Sequence, residues 1–129
     1  MMSIANGCNM KKVFLVFGLP GAGKTTFSQK LKAIIPDAEH INADIVRKTF
    51  NDWDFSEEGR LRQANRMRKL ADESLASVVI LDFVCPKKEY RNIIKADIMF
   101  FIDRIEESVY QDTNKLFEKP DASEVVTIK

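Results

Sequence analysis

At 129 residues the chain has room for one hydrophobic core and too little for two domains. Its near-balanced charge, 20 Lys and Arg against 19 Asp and Glu, excludes the broad basic field of a dedicated nucleic-acid binder, so nucleic acid is disfavoured as a partner. A hydrophobic share of 45% suits a globular protein, and no apolar run approaches the about 18 residues that a membrane span needs. Met1 to Met10 lacks a long apolar stretch, so no secretory signal is expected, and residues 1–10 read as a loose N-terminal segment ahead of a single domain. Cys8 and Cys85 form no CxxC or metal-binding spacing, and two unpaired thiols fit a reducing, cytoplasmic compartment.

Lys12 to Phe17 is an unbroken apolar run of the kind found in a central parallel strand. Directly after it comes Gly18-Leu19-Pro20-Gly21-Ala22-Gly23-Lys24-Thr25, the pattern G-x-x-x-x-G-K-[ST], followed by Thr26. Each part of that pattern has a task. Its glycines let the backbone curl so that N–H groups point inward at phosphate oxygens. Lys24 reaches the β- and γ-phosphates, and the Thr25 hydroxyl ligates Mg²⁺. The helix beginning near Lys24 adds its positive end to the same anion site. ATP and Mg²⁺ are therefore the expected cofactors. The helix should run to about Ile34, with Phe27, Leu31, Ile34 and Ile35 at helical spacing, and end at Pro36-Asp37.

A short strand is expected near His40 to Asn42, then a short helix with Ile45, Val46 and Phe50, and a loop over Asn51 to Asp54. Ser56 is placed to cap a long helix to about Ser74. Val78 to Leu81 is a buried strand, with a break at Cys85-Pro86. A helix over Glu89 to Ile94, a strand over Ile98 to Ile102, a helix over Ile105 to Tyr110 and a last strand over Val125 to Ile128 complete the chain. Strands alternating with helices predict a three-layer α/β/α phosphate-loop fold with a mainly parallel sheet of about five strands. Ligands in such sheets lie beyond the carboxyl ends of the strands. That rule gathers Gly18–Thr25, Asn42–Asp44, Asp82–Pro86 and Asp103–Arg104 at one edge.

Several side chains at that edge carry chemistry. Asp82 closes an apolar strand and is a candidate for Mg²⁺, or else a turn cap. Asp44 is a candidate to orient or deprotonate an acceptor hydroxyl, or else a helix cap. Arg47, one turn on, is placed for an anionic substrate or for Asp44. On the long helix Leu61, Ala64, Met67, Leu70, Ala71 and Leu75 share one arc at about 100° per residue. Arg62, Arg66 and Lys69 lie opposite and read as solvated. Arg60 falls within the apolar arc with Gln63 at its edge, and a buried guanidinium is costly unless a phosphate, a sulfate or a structural carboxylate pairs it. Phe55 suits base stacking or the core equally, Trp53 is expected in the core, and His40 reads as structural.

These residues resemble the adenylyl-sulfate kinases, which transfer the γ-phosphoryl of ATP to the 3′-hydroxyl of adenosine 5′-phosphosulfate in sulfate assimilation. The resemblance spans about Val13 to Val126. Gly18 to Thr25 is close to the family's loop, and Ile41-Asn-Ala-Asp-Ile-Val-Arg47 is similar to its Leu-Asp-Gly-Asp-Asn-Val-Arg segment. Phe55-Ser-Glu-Glu-Gly-Arg60 resembles Phe-Ser-x-x-Asp-Arg, Phe83-Val-Cys-Pro86 resembles Phe-Ile-Ser-Pro, and Phe117-Glu-Lys-Pro120 resembles Tyr-Glu-x-Pro. The resemblance implies that Arg47 and Arg60 hold the phosphosulfate, with Gln63 beside them where the family has Asn. It implies that Phe55 stacks on the adenine, Val84 lines the pocket, and Asp44 lies near Mg²⁺ and the acceptor hydroxyl.

The chain departs from the family where Asn42 replaces an Asp, and where the segment from Tyr110 to Phe117 leaves no room for the usual lid over ATP. The family's C-terminal helix also has no counterpart here. A missing lid admits water and loosens ATP. Low activity, a different substrate, or a second subunit of a homodimer completing the site all stay open at this level. So do phosphorylation of another acceptor, such as a nucleic-acid 5′-hydroxyl, and nucleotide binding without turnover.

Overall fold

In the computed structural model, which describes residues 11–129, strands and helices alternate along the chain. They are β1 Lys12–Phe17, α1 Lys24–Ile34, β2 Ala38–Asn42, α2 Ala43–Phe50, α3 Glu57–Glu73, β3 Val78–Asp82, α4 Lys88–Ile94, β4 Ile98–Ile102, α5 Gln111–Leu116 and β5 Val126–Ile128. Cys8 and the N-terminal segment 1–10 lie outside the described residues. Among the described residues no helix is long and apolar enough to cross a membrane.

The five strands form one parallel sheet in the order β2-β3-β1-β4-β5. Side chains alternate between its faces, as strand geometry requires. Val13, Leu15, Phe17, Val79, Leu81 and Phe101 pack on one side with Ala43 and Val46 of α2, Ala64 and Met67 of α3, and Tyr90 and Ile94 of α4. Val16, Ile80 and Ile102 pack on the other with Phe27 and Leu31 of α1. The expected three layers are therefore present. In register, Asp82 stands opposite both Val16 of β1 and Asn42 of β2. The phosphate loop, the β3 carboxylate and the start of α2 are thus brought abreast at the carboxyl edge.

Four sequence expectations need correction. The helix expected over Ile105 to Tyr110 is a loop, and the helix starts at Gln111. The reason is a side-chain clasp: Asn114 Oδ1 accepts from the Ser108 amide and hydroxyl, each at 2.8 Å, and Asn114 Nδ2 donates to the Ser108 carbonyl at 2.9 Å. Those bonds offer the backbone an alternative to helical pairing. Ile34 is 76% exposed and Leu75 fully exposed, because each lies at or beyond a helix end where the apolar arc no longer faces the sheet. Trp53 is not in the core but 51% exposed. Arg66 is not solvated; it donates to Asp52 at 3.1 Å and stacks 4.3 Å from the Phe50 ring centroid.

Asn114→Ala removes all three bonds of the clasp. It should loosen residues 105–110 and lower stability by about 1–3 kcal/mol. Amide hydrogen exchange across that segment checks it, and unchanged protection there would mean that the clasp is ornamental.

Candidate functional site

The phosphate loop is shaped by its glycines and by what packs behind it. Gly23, the residue before α1, has φ +100°, a conformation that other residues rarely adopt. Gly18, Leu19 and Ala22 are buried behind the loop, whereas Pro20, Gly21, Gly23, Lys24, Thr25 and Thr26 face a cavity of about 1060 Å³. Lys24 Nζ donates to the Leu19 carbonyl at 3.1 Å. Burial pushes the Lys24 ammonium below its ordinary pKa, and the fields of Asp82 and Asp44 oppose this. Arg104, just after β4, lies against the loop: a Cβ on Gly23 would come within 3.2 Å of its guanidinium. Its neighbour Asp103 is turned to Lys129 at 2.8 Å and does not line the cavity.

Asp82 is the hub beneath the loop. One carboxylate oxygen accepts from Thr25 Oγ1 at 2.8 Å, lies 3.0 Å from His40 Nε2 and accepts from Asn42 Nδ2 at 3.0 Å. Burial raises its pKa, but the hydrogen bonds from His40, Thr25 and Asn42 outweigh that and leave it below the ordinary carboxylate value. The structural role expected of His40 thus has a partner that the sequence did not suggest. Asn42 also settles the capping question at Asp44, since Asn42 Oδ1 accepts from the Ile45 amide at 3.0 Å and caps α2 itself. Asp44 is left exposed in the first turn, facing the cavity, its carboxylate without a hydrogen bond among the described residues.

A smaller cavity of about 50 Å³ shares Ala43, Asp44, Phe83 and Val84 with the large one and adds Arg47, Arg60, Pro86 and Tyr90. Arg47 and Arg60 are 4% and 8% exposed. Arg47 Nη1 donates to the Asp52 and Asp54 carbonyls at 2.9 and 3.2 Å, and Arg60 Nε donates to the Phe55 carbonyl at 2.9 Å. Among the described residues no carboxylate lies within 4.0 Å of either guanidinium, so neither the structural ion pair considered for Arg60 nor the Arg47–Asp44 pair is formed. Burial, first of all, lowers the Arg47 pKa. Phe55 is half exposed, and the two guanidinium carbons lie 4.3 and 5.5 Å from its ring centroid.

Gln63 is fully buried behind this wall rather than on it. Its amide donates to the Ala43 carbonyl at 3.0 Å and accepts from Arg66 at 3.1 Å. It is a brace between α3 and the start of α2.

Sequence reasoning missed the far wall of the large cavity, formed by Ile105 and Glu107 to Tyr110. It also missed Arg91, which is buried and donates to the Cys85 and Pro86 carbonyls at 3.1 and 3.0 Å and to the Glu118 carbonyl. Arg91 thereby fixes the turn at Cys85, whose φ is +46°, and which carries Val84 into the site. No spacing signal announces an arginine of this kind. Gly59, where the resembled family has Asp, is explained by contact. A Cβ there would lie 2.1 Å from the Asp54 carbonyl oxygen. Gly59→Ala should therefore displace the 51–55 loop and cost about 1–3 kcal/mol, read from a chemical denaturation curve; wild-type stability in that variant would contradict the close approach.

The residues fit both expected cofactors. The loop offers curled backbone and a lysine for phosphates. Thr25 and Asp82 offer a hydroxyl and a carboxylate 2.8 Å apart, the donor types Mg²⁺ takes alongside phosphate oxygens and water. Among the described residues no cluster of three or more His, Cys, Asp or Glu could hold a metal by itself. Mg²⁺ there would neutralise charge between the β- and γ-phosphates.

Fold and site define a three-layer α/β domain built around a phosphate loop. Residues 13–80 match the family described as AAA domain, and the chain belongs to that family. Among solved structures it is similar to one described as APE1195, with 28% identity over 73% of this chain and a TM-score of 0.62; the chain spans 61% of that protein's length. It is also similar to the Mycobacterium tuberculosis APS kinase CysC in complex with AMPPNP and APS, at 22% identity, covering 82% of this chain and 68% of that one, with a TM-score of 0.61. A sugar kinase from Janibacter sp. has 16% identity, covers 92% of this chain and 84% of that one, and has a TM-score of 0.71. The last two likenesses show the fold alone. No curated protein matches.

Proposed function

We propose that the protein is an ATP-dependent kinase that phosphorylates the 3′-hydroxyl of adenosine 5′-phosphosulfate. The observation that carries this reading is the pair Arg47 and Arg60, buried, without carboxylate partners among the described residues and flanking Phe55, one cavity away from the phosphate loop. Two buried cations beside an aromatic ring suit an acceptor with an anionic end and a base. The motif resemblance assigns the same residues to phosphosulfate and adenine.

In this reading Gly18 to Thr26 hold ATP, with Lys24 on the β- and γ-phosphates, and Thr25 and Asp82 serve the metal. Arg47 and Arg60 hold the phosphosulfate, Phe55 stacks on the adenine, and Val84 lines the pocket. Asp44 orients the acceptor 3′-hydroxyl and takes its proton as the new O–P bond forms and the bond to ADP breaks. Gln63 acts from behind, by holding α3 against α2. Loop 105–110, held by Asn114, lines the cavity in the stretch of chain where the family has its lid.

The test is incubation of the purified protein with Mg²⁺, ATP and adenosine 5′-phosphosulfate, with chromatographic detection of the 3′-phosphorylated product. Product absent from a Lys24→Ala control is the expected result. ATP turnover or binding without that product would move the assignment to another acceptor.

A further inference from the structure

The phosphate loop and the arginine pair leave one feature of the cavity unexplained. Trp53 is the single tryptophan of the chain, and it lines the large cavity while 51% exposed. A ring of that size gains by burial elsewhere, so its place at the rim needs a cause. The cause is a loop fixed on both sides of it. The Asp52 carboxylate accepts from Arg62 Nε at 2.8 Å and from Arg66 Nη2 at 3.1 Å. The Asp54 carboxylate accepts from Arg62 Nη2 at 3.1 Å, and Arg47 holds the carbonyls of both aspartates. Gly59 gives the loop room to descend onto α3. Three guanidiniums therefore lock the backbone around Trp53 and present its ring to the cavity that Phe55 also lines. Ordering a contact before the ligand arrives lowers the entropy cost of binding.

We infer that Trp53 is a specificity-determining residue, packing against the base of the acceptor on the side where Phe55 stands. The site then selects acceptors that join an aromatic ring to an anion, and discriminates against sugars and other hydroxyl compounds without such a ring. Asp52, tied to Arg62 and Arg66 and outside the cavity lining, is the positioning residue that keeps the ring in place. This rests on the nucleotide-acceptor reading above.

Because Trp53 is the lone tryptophan, its emission reports on its own contact. The intact protein with Mg-ADP bound is titrated with adenosine 5′-phosphosulfate, following emission and binding heat in parallel. The expected result is a saturable emission change with the same Kd as the heat. Trp53→Leu should then weaken acceptor binding about tenfold, and Trp53→Phe less, since one base–aromatic contact has about that effect. ADP affinity and melting temperature should stay as in the wild type, which a merely structural role would not allow. Binding heat without an emission change, with Trp53→Leu at the wild-type Kd, overturns the role of Trp53 and leaves the acceptor reading standing. Neither heat nor emission change, in protein that still binds ADP, overturns both.

Discussion

In the Lys24→Ala variant, phosphoryl transfer from ATP should fall by about 10²- to 10³-fold. The ammonium is largely buried at the loop, and the only protein group it bonds among the described residues is the Leu19 carbonyl, at 3.1 Å. Burial lowers its pKa, and the fields of Asp82 and Asp44 oppose that loss of charge. In a kinase with a loose transition state, little covalent work falls to the protein, so positioning and charge stabilisation carry most of the rate. Losing one preorganised donor at the transferring group typically costs 10²- to 10³-fold, roughly 3–4 kcal/mol. Nucleotide-dependent stabilisation should shrink too. ATP at about 100 times its Kd raises unfolding free energy by about 2.7 kcal/mol, and the variant should show little of that shift in a thermal melt with Mg-ATP. Undiminished transfer by Lys24→Ala would remove the loop from the chemistry.

Arg60→Ala should weaken the acceptor and spare ATP. A charge-assisted hydrogen bond is worth about 1.5–3 kcal/mol, so a loss of about 10- to 100-fold in acceptor affinity follows, with the KM for ATP unchanged. A second readout separates this from a structural role. Breaking a buried ion pair costs about 3–5 kcal/mol, but among the described residues the Arg60 guanidinium has no carboxylate partner, only a hydrogen bond to the Phe55 carbonyl and the face of the Phe55 ring. The melting temperature of the free variant should therefore hold or rise, as it does when a residue kept for binding is removed. Equal losses for ATP and acceptor, or a collapse in stability, would count against the assigned role.

The sequence was most informative where one physical rule dominates. Apolar runs and helical spacing placed all five strands and four of the five α-helices of the described residues, and the central strands β1, β3 and β4 were clearest because a parallel sheet covered on both faces demands nearly continuous apolar strands there. The phosphate loop was legible because its backbone geometry requires glycines at fixed positions. Arg60 was legible because a charge on an apolar helical face is an anomaly that asks for a partner. The helix misplaced onto Ile105 to Tyr110 failed because the Ser108–Asn114 clasp competes with helical pairing. Trp53 failed because hydrophobicity alone sends a large ring inward, whereas a net of ion pairs holds this one at the rim.

What the amino-acid sequence determined by itself was thus the order of elements, the phosphate loop and the set of residues at the carboxyl edge, since these follow from local spacing and backbone requirements. Only the tertiary structure decided how they meet. Sheet register set Asp82 opposite Asn42, and folding brought His40 and Thr25 onto the same carboxylate. Burial without a carboxylate partner among the described residues distinguished Arg47 and Arg60 from Arg62 and Arg66, which have the same chemistry but are tied to Asp52. Those differences depend on contacts between residues far apart in the chain, and spacing along the sequence carries no record of them.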